Sequence, residues 1–191
     1  MGLGDLLFGR KKLKAPEKER LFAIATAGVT LSTELGLKPV AAGVCFKPLS
    51  ASEFVRVENE IQELLAKVAE ENGTKIERSS DSFGYEWLVL RDSDLEDLVT
   101  AVHAIGEELI ARGFGAQLLA AVFRFESEEQ EGRPVFFVYG YKRSAFWPFV
   151  PTGTDQQRDN AKELELKAKL ENELPIEPDI ARWFGVFDAP L

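Results

Sequence analysis

Apolar residues recur along this chain in two patterns, and each predicts a different element. The first has a helical period. Phe54, Val57, Ile61, Leu64, Leu65 and Val68 stand three or four apart, with Glu58, Glu60, Glu63 and Lys67 largely on other faces. This predicts a helix of about twenty residues, capped at Ser50–Ser52 and ending near Gly73, that lies on a sheet. Leu95, Leu98, Val99, Val102, Ile105, Gly106 and Leu109 repeat the stripe over Asp94–Arg112. Asp92-Ser93 supplies the cap, and Asp94, Glu96 and Asp97 complement the positive end of the helix dipole. Gly113 and Gly115 terminate it. A stretch rich in Glu, Lys and Leu, Asp155–Leu174, predicts a surface helix before Pro175 and Pro178.

The second pattern is the short apolar run bounded by turn residues. Ala25–Leu31 and Val40–Phe46 contain the β-branched Thr26, Val29, Thr30, Val40 and Val44, and read as strands with a turn at Gly36 between them. Thr74–Glu77 and Tyr85–Arg91 read as a hairpin around Ser79–Gly84. Ala116–Phe125 is a strand, followed by the acidic loop Ser127–Arg133.

Then comes the densest apolar stretch, Pro134–Pro151, with seven aromatics. Val135–Tyr141 carries large residues for both faces and predicts a central strand. Ala145–Pro151 is not expected to be regular throughout, because Pro148 and Pro151 remove donors and restrict the residues before them. Phe146, Trp147 and Phe149 therefore have two expected fates. Either they turn back on the core, or they present an aromatic surface to a partner beside Lys142 and Arg143.

Strand, strand and helix follow one another three times. Cys45–Gly73 and Trp87–Gly113 correspond best, each helix holding Glu-Leu-(Leu/Ile)-Ala at 63–66 and 108–111. The expected fold is α+β: a mainly antiparallel sheet built from ββα units, with helices packed mostly on one face. Residues 1–20 are expected to form a basic amphipathic segment and linker. Residues 21–191 are expected to form a single α+β domain with a C-terminal helix and a docked tail that uses Trp183, Phe184, Val186 and Phe187.

Charge divides the chain in the same way. The net charge is -9, which argues against general nucleic-acid binding. Residues 1–20 hold six basic groups against three acidic, a net of +3, and the rest carries -12. Leu6, Leu7 and Phe8 precede Arg10, Lys11 and Lys12, the order in which a short helix inserts apolar residues and leaves cations at anionic headgroups. Gly4 and Gly9 each cost such a helix about 1 kcal/mol, so a surface would have to order it. No apolar run reaches membrane-span length. Leu21–Leu31 imitates a signal peptide, but Glu17 and Glu19 just before it argue otherwise. The single cysteine, Cys45, permits no intrachain disulfide and fits a reducing compartment. The expected location is cytoplasmic, with peripheral contact at the inner face of the membrane through residues 1–14.

Candidate chemistry is sparse. His103, the only histidine, lies beside the stripe of its helix. Asp81, Asp92 or Glu107 are available to orient it, and Cys45 or a serine to be activated by it, yet no spacing joins them. Glu70-Glu71, Glu107-Glu108 and Glu128-Glu129 fall on helix faces or in the acidic loop, where carboxylates are solvated. Gly113-Phe114-Gly115 follows a helix and precedes a strand, the reverse of a phosphate cradle. One His and one Cys serve metal binding poorly. These features point to a protein that is not an enzyme, with no cofactor and no metal; an enzyme with a pocket around His103 is the alternative.

Several phrases belong together: Met1–Lys12 (MGLGDLLFGRKK), Leu35–Pro39 (LGLKP), Cys45–Pro48 (CFKP), Asp97–His103 (DLVTAVH), Leu118–Phe123 (LLAAVF) and Tyr141–Phe149 (YKRSAFWPF). Together they resemble the PspA-associated family PspAB over nearly the whole chain. The resemblance implies a setting, not a mechanism. Genes of that family accompany a PspA homologue and often an HtpX-type membrane metalloprotease, hence envelope stress. It implies as partners a PspA-like protein or that protease, and it carries no catalytic residue with it.

Overall fold

The computed structural model describes residues 17–48, 50, 52, 63, 66, 74–127, 132–153 and 156–191. Its frame is one antiparallel sheet of six strands: β1 (Leu37–Phe46), β2 (Lys75–Ser80), β3 (Glu86–Arg91), β4 (Leu118–Ser127), β5 (Pro134–Gly140) and β6 (Ala145–Phe149). Their order across the sheet is β2-β3-β1-β4-β5-β6. Every neighbouring pair is antiparallel. The α+β class with its antiparallel sheet and helices on one face is therefore as the sequence indicates.

Alternation sorts the core into two layers. Ala42, Val44 and Phe46 of β1, Leu88 and Leu90 of β3, Ala121, Phe123 and Phe125 of β4, and Val135, Phe137 and Tyr139 of β5 point to one face. The helices cover that face. Among the described residues these include α1 (Glu17–Thr26), α2 (Leu95–Ala111) and α3 (Asn160–Leu170). From α2 come Leu98, Val99, Val102, Ile105 and Leu109, each at most 1% exposed. The Asp94 side chain caps α2 by accepting from the Glu96 and Asp97 amides. The opposite face holds Cys45, Trp87, Val89, Val122, Phe136, Val138, Trp147 and Phe149. The C-terminal tail covers it, with Trp183, Val186, Phe187 and Leu191 packed against the sheet.

Residues 25–31 correct the strand reading. They continue α1 and run into a single π turn at Thr30–Glu34. The buried residues here are Leu21, Ile24, Ala27, Leu31 and Leu35. Their spacing of three or four is helical, and Val29 faces water. Amphipathic period outweighed the β-branched composition. Ser52, Glu63 and Ala66 are helical and exposed; otherwise the helix expected to end near Gly73 lies outside the described residues.

Ala145–Pro151 is regular only in part, as expected, but the break does not fall at Pro148. Its first five residues form β6, at the edge of the sheet, despite Pro148. An edge strand tolerates proline where its amide would point away from the sheet. The Phe146 amide donates outward to Pro175 O at 2.8 Å. The Val150 amide donates to Glu163 Oε1 at 2.9 Å. Pro148 lies between them in the outward row and needs no acceptor. With that row occupied, the β6 edge is closed to strand addition.

Candidate functional site

The strands ending at Phe46, Ser80, Gly140 and beginning at Glu86, Leu118 and Ala145 meet at one end of the sheet. There the structure opens a groove of about 990 Å³. One wall is the flank of α2. His103, Gly106, Glu107 and Ile110 all line it, and their i, i+3, i+4, i+7 spacing places them on one helical face. Leu21 of α1, Leu118 and Leu119 of β4, Lys47 after β1, and Tyr141, Lys142 and Ser144 of the β5–β6 turn complete the walls.

Glycine makes room at two places. A Cβ at Gly106 would stand 3.0 Å from the Tyr141 hydroxyl, so the tyrosine lies against the helix backbone. A Cβ at Gly140 would stand 2.9 Å from the Trp147 ring, which needs that space to cross the strand. The turn itself is tight. The Arg143 and Ser144 amides both donate to Gly140 O, and Ser144 has φ 50°. The Arg20 guanidinium ties it to α1 by donating to Ser144 O at 3.1 Å.

The Tyr141 hydroxyl is sealed from solvent and has no hydrogen-bond partner among the described residues. Burial holds its pKa well above the usual phenol range, reinforced by Tyr139 and Glu107. It is a neutral group at any physiological pH. His103 packs edge-on against Phe22, ring centroids 5.0 Å apart. Thus His103, Glu107 and Ser144 do share a groove.

The other proposed companions of His103 are elsewhere. Cys45 is buried on the opposite, tail-covered face of the sheet. Burial, with the Asp81 charge beside it, pushes its thiol up to about 12. It is neither near α2 nor a ready thiolate. Asp81 holds the β2–β3 turn, accepting from the Phe83 and Tyr85 amides and from Trp87 Nε1, each at 2.9 Å. Asp92 accepts from Thr74 Oγ1 at 2.7 Å and from the Asp94 amide.

The aromatic candidates turn back on the core. Phe146 faces the helices, 4.9 Å from the Tyr139 ring and 0% exposed. Trp147 donates from Nε1 to Phe184 O at 2.9 Å. Phe149 stacks on Phe136, meets Phe187 edge-on and lies under the Arg158 guanidinium. Arg143 pairs loosely with Glu177, at 3.7 Å, while Lys142 is exposed on the groove. Of the five residues picked as partner-facing, Lys142 is the one the groove retains. Leu6, Leu7, Phe8, Arg10, Lys11 and Lys12 lie outside the described residues.

Tyr141, Lys47 and Leu119 were not singled out in the sequence. The available signal was Gly106: a glycine inside a strong helical stripe costs about 1 kcal/mol and points to a close approach. Among the described residues no group of three or more His, Cys, Asp or Glu is placed to hold a metal ion. No helix among them is long and apolar enough to cross a membrane.

Fold and groove together define an α+β protein, its sheet covered by helices on one face and by its own C-terminus on the other, with a mixed apolar and cationic groove at the strand ends. Over residues 1–191 the chain matches the family model described as PspA associated protein B, and it belongs to that family, PspAB. Comparisons with curated proteins and with solved structures gave no match.

Proposed function

We propose that this protein is a non-catalytic adaptor or regulatory protein of a PspA-type envelope-stress system, acting in the cytoplasm by binding a protein partner. The observation that carries the reading is the match of the whole chain to a family described by its association with PspA. Two features support it. Cys45 and His103 are separated by the sheet, Asp81 is engaged in the β2–β3 turn, and Asp92 accepts from Thr74 and the Asp94 amide. The partner is a PspA-like protein, with the cytosolic face of an HtpX-type membrane protease as the second candidate. Titration of the full chain with each tests this. Binding with a Kd on the order of 10 μM or tighter is expected for one of them. No binding to either at that concentration would overturn the reading.

A second reading, compatible with the first, is peripheral membrane attachment. It is favoured by the segregation of charge, +3 in residues 1–20 against -12 in the rest, with Leu6, Leu7 and Phe8 beside Arg10, Lys11 and Lys12. It predicts co-sedimentation with vesicles that requires anionic lipid and weakens with salt. Unchanged vesicle binding after deletion of residues 1–14 would contradict it.

A further inference from the structure

The groove differs in charge from the chain around it. Lys47 and Lys142 line it, both exposed, and neither makes an ion pair among the described residues. Arg20 adds a third cation nearby through its bond to Ser144 O. Among the described residues Glu107 is the one acid in the lining. In a chain of net charge -9 this is a local reversal of sign. The lining also holds apolar residues: Leu21 and Leu118 are buried, Leu119 is half-buried, and Ile110 is 48% exposed.

The shape favours a helix over a strand. A strand would need a free row of backbone donors, and the groove offers none: β1, β4 and β5 are interior strands, and the outward amides of β6 are occupied or replaced by proline. What it offers instead is side chains on a helix flank, with the Tyr141 ring filling the space above Gly106. From His103 to Ile110 that flank runs roughly 10 Å, the length of about two helical turns.

We propose that this groove receives an amphipathic helix of the PspA-like partner. Its apolar stripe would lie on Leu119 and Ile110, above the buried Leu21 and Leu118, and flanking carboxylates would meet Lys47 and Lys142. The inference rests on the partner-binding reading above and assigns its surface. Charge complementarity selects an acidic helix, since a basic one would be repelled by both lysines.

The test compares the full chain with the double reversal Lys47→Glu/Lys142→Glu, titrating the cognate PspA-like protein at two salt concentrations. Both lysines are exposed, so the variant should fold, which its thermal midpoint checks. The affinity is expected to fall at least about tenfold and to lose most of its salt dependence. A charge-matched reversal on α3, Lys167→Glu/Lys169→Glu, should leave the affinity within about twofold. Wild-type binding that the groove reversal leaves unchanged would overturn this inference and leave the adaptor reading standing. Absence of wild-type binding would instead sink the adaptor reading, and this inference with it. Tenfold tighter partner binding after deletion of residues 1–14 would assign the groove to the chain's own N-terminal segment. A wild-type dimer abolished by the groove reversal would assign it to a second copy. Either result overturns the proposal.

Discussion

The two faces of the sheet are covered by different means. On the helix side, α1, α2 and α3 satisfy their own backbones and contribute side chains at regular spacing. On the other side, residues 183–191 carry little regular structure and take hydrogen bonds from the sheet and from Arg158. Arg124 donates to Leu191 O at 2.6 Å, Trp147 to Phe184 O at 2.9 Å and Arg158 to Trp183 O at 2.6 Å. Ser82 and Asp188 form a further contact near the tail's end. A helix can lose one side chain and keep its backbone bonds. An irregular strap whose carbonyls depend on a few arginines and tryptophans has less redundancy.

The largest effect should follow from removing the strap. Deleting residues 183–191 uncovers Trp87, Phe136, Trp147 and Phe149 and removes five packed side chains. The loss should exceed about 6 kcal/mol, comparable to the whole stability of a domain. Loss of the cooperative unfolding transition is the expected result; a folded, soluble truncation would show that the helix side suffices. Next comes Leu98→Ala on the helix side, expected to cost about 3 kcal/mol in denaturant unfolding through cavity formation. It should leave proteolysis of the tail unchanged. Arg124→Ala, at about 2 kcal/mol, should do the reverse: a smaller global loss but faster cleavage within 183–191 under native conditions.

The smallest effect concerns pH. Cys45 is raised from 9.0 to about 12, mainly by burial. The folded state therefore keeps the proton while the unfolded state releases it above pH 9. Stability is lost as pH rises through this window, by about 1 kcal/mol between pH 8 and 10. Unfolding midpoints measured across that range for wild type and Cys45→Ala should differ in slope, with the variant flatter. Parallel slopes would show that the thiol does not report on the tail-covered layer.

The same contrast explains what was legible beforehand. The stripe over Asp94–Arg112 matches α2, observed at Leu95–Ala111, because period and terminating glycine agree, although the cap is Asp94 and not Asp92-Ser93. The hairpin around Ser79–Gly84 was legible for the same reason, with Lys75 pairing Arg91 and Ser80 pairing Glu86. Residues 25–31 misled because Thr26, Val29 and Thr30 suggest strand locally while Leu21, Ile24, Ala27 and Leu31 set a helical period. Pro148 misled because sequence does not show which strand is the edge. The tail was expected to dock through Trp183, Phe184, Val186 and Phe187, yet Phe184 is 68% exposed. In irregular backbone no period assigns a side chain to a face. The groove was the least legible part, since Lys47, His103, Leu119 and Tyr141 come from four separate segments. Of its lining, Lys142, His103 and Glu107 drew attention as candidates.

Hydrogen exchange of the full chain, alone and saturated with the cognate PspA-like protein, tests the central claim most directly. Slowed exchange is predicted at residues 103–119 and 140–144, which wall the groove, with the strap at 183–191 unchanged. Protection confined to the strap or to the β2–β3 turn, with the groove segments unaltered, would contradict it.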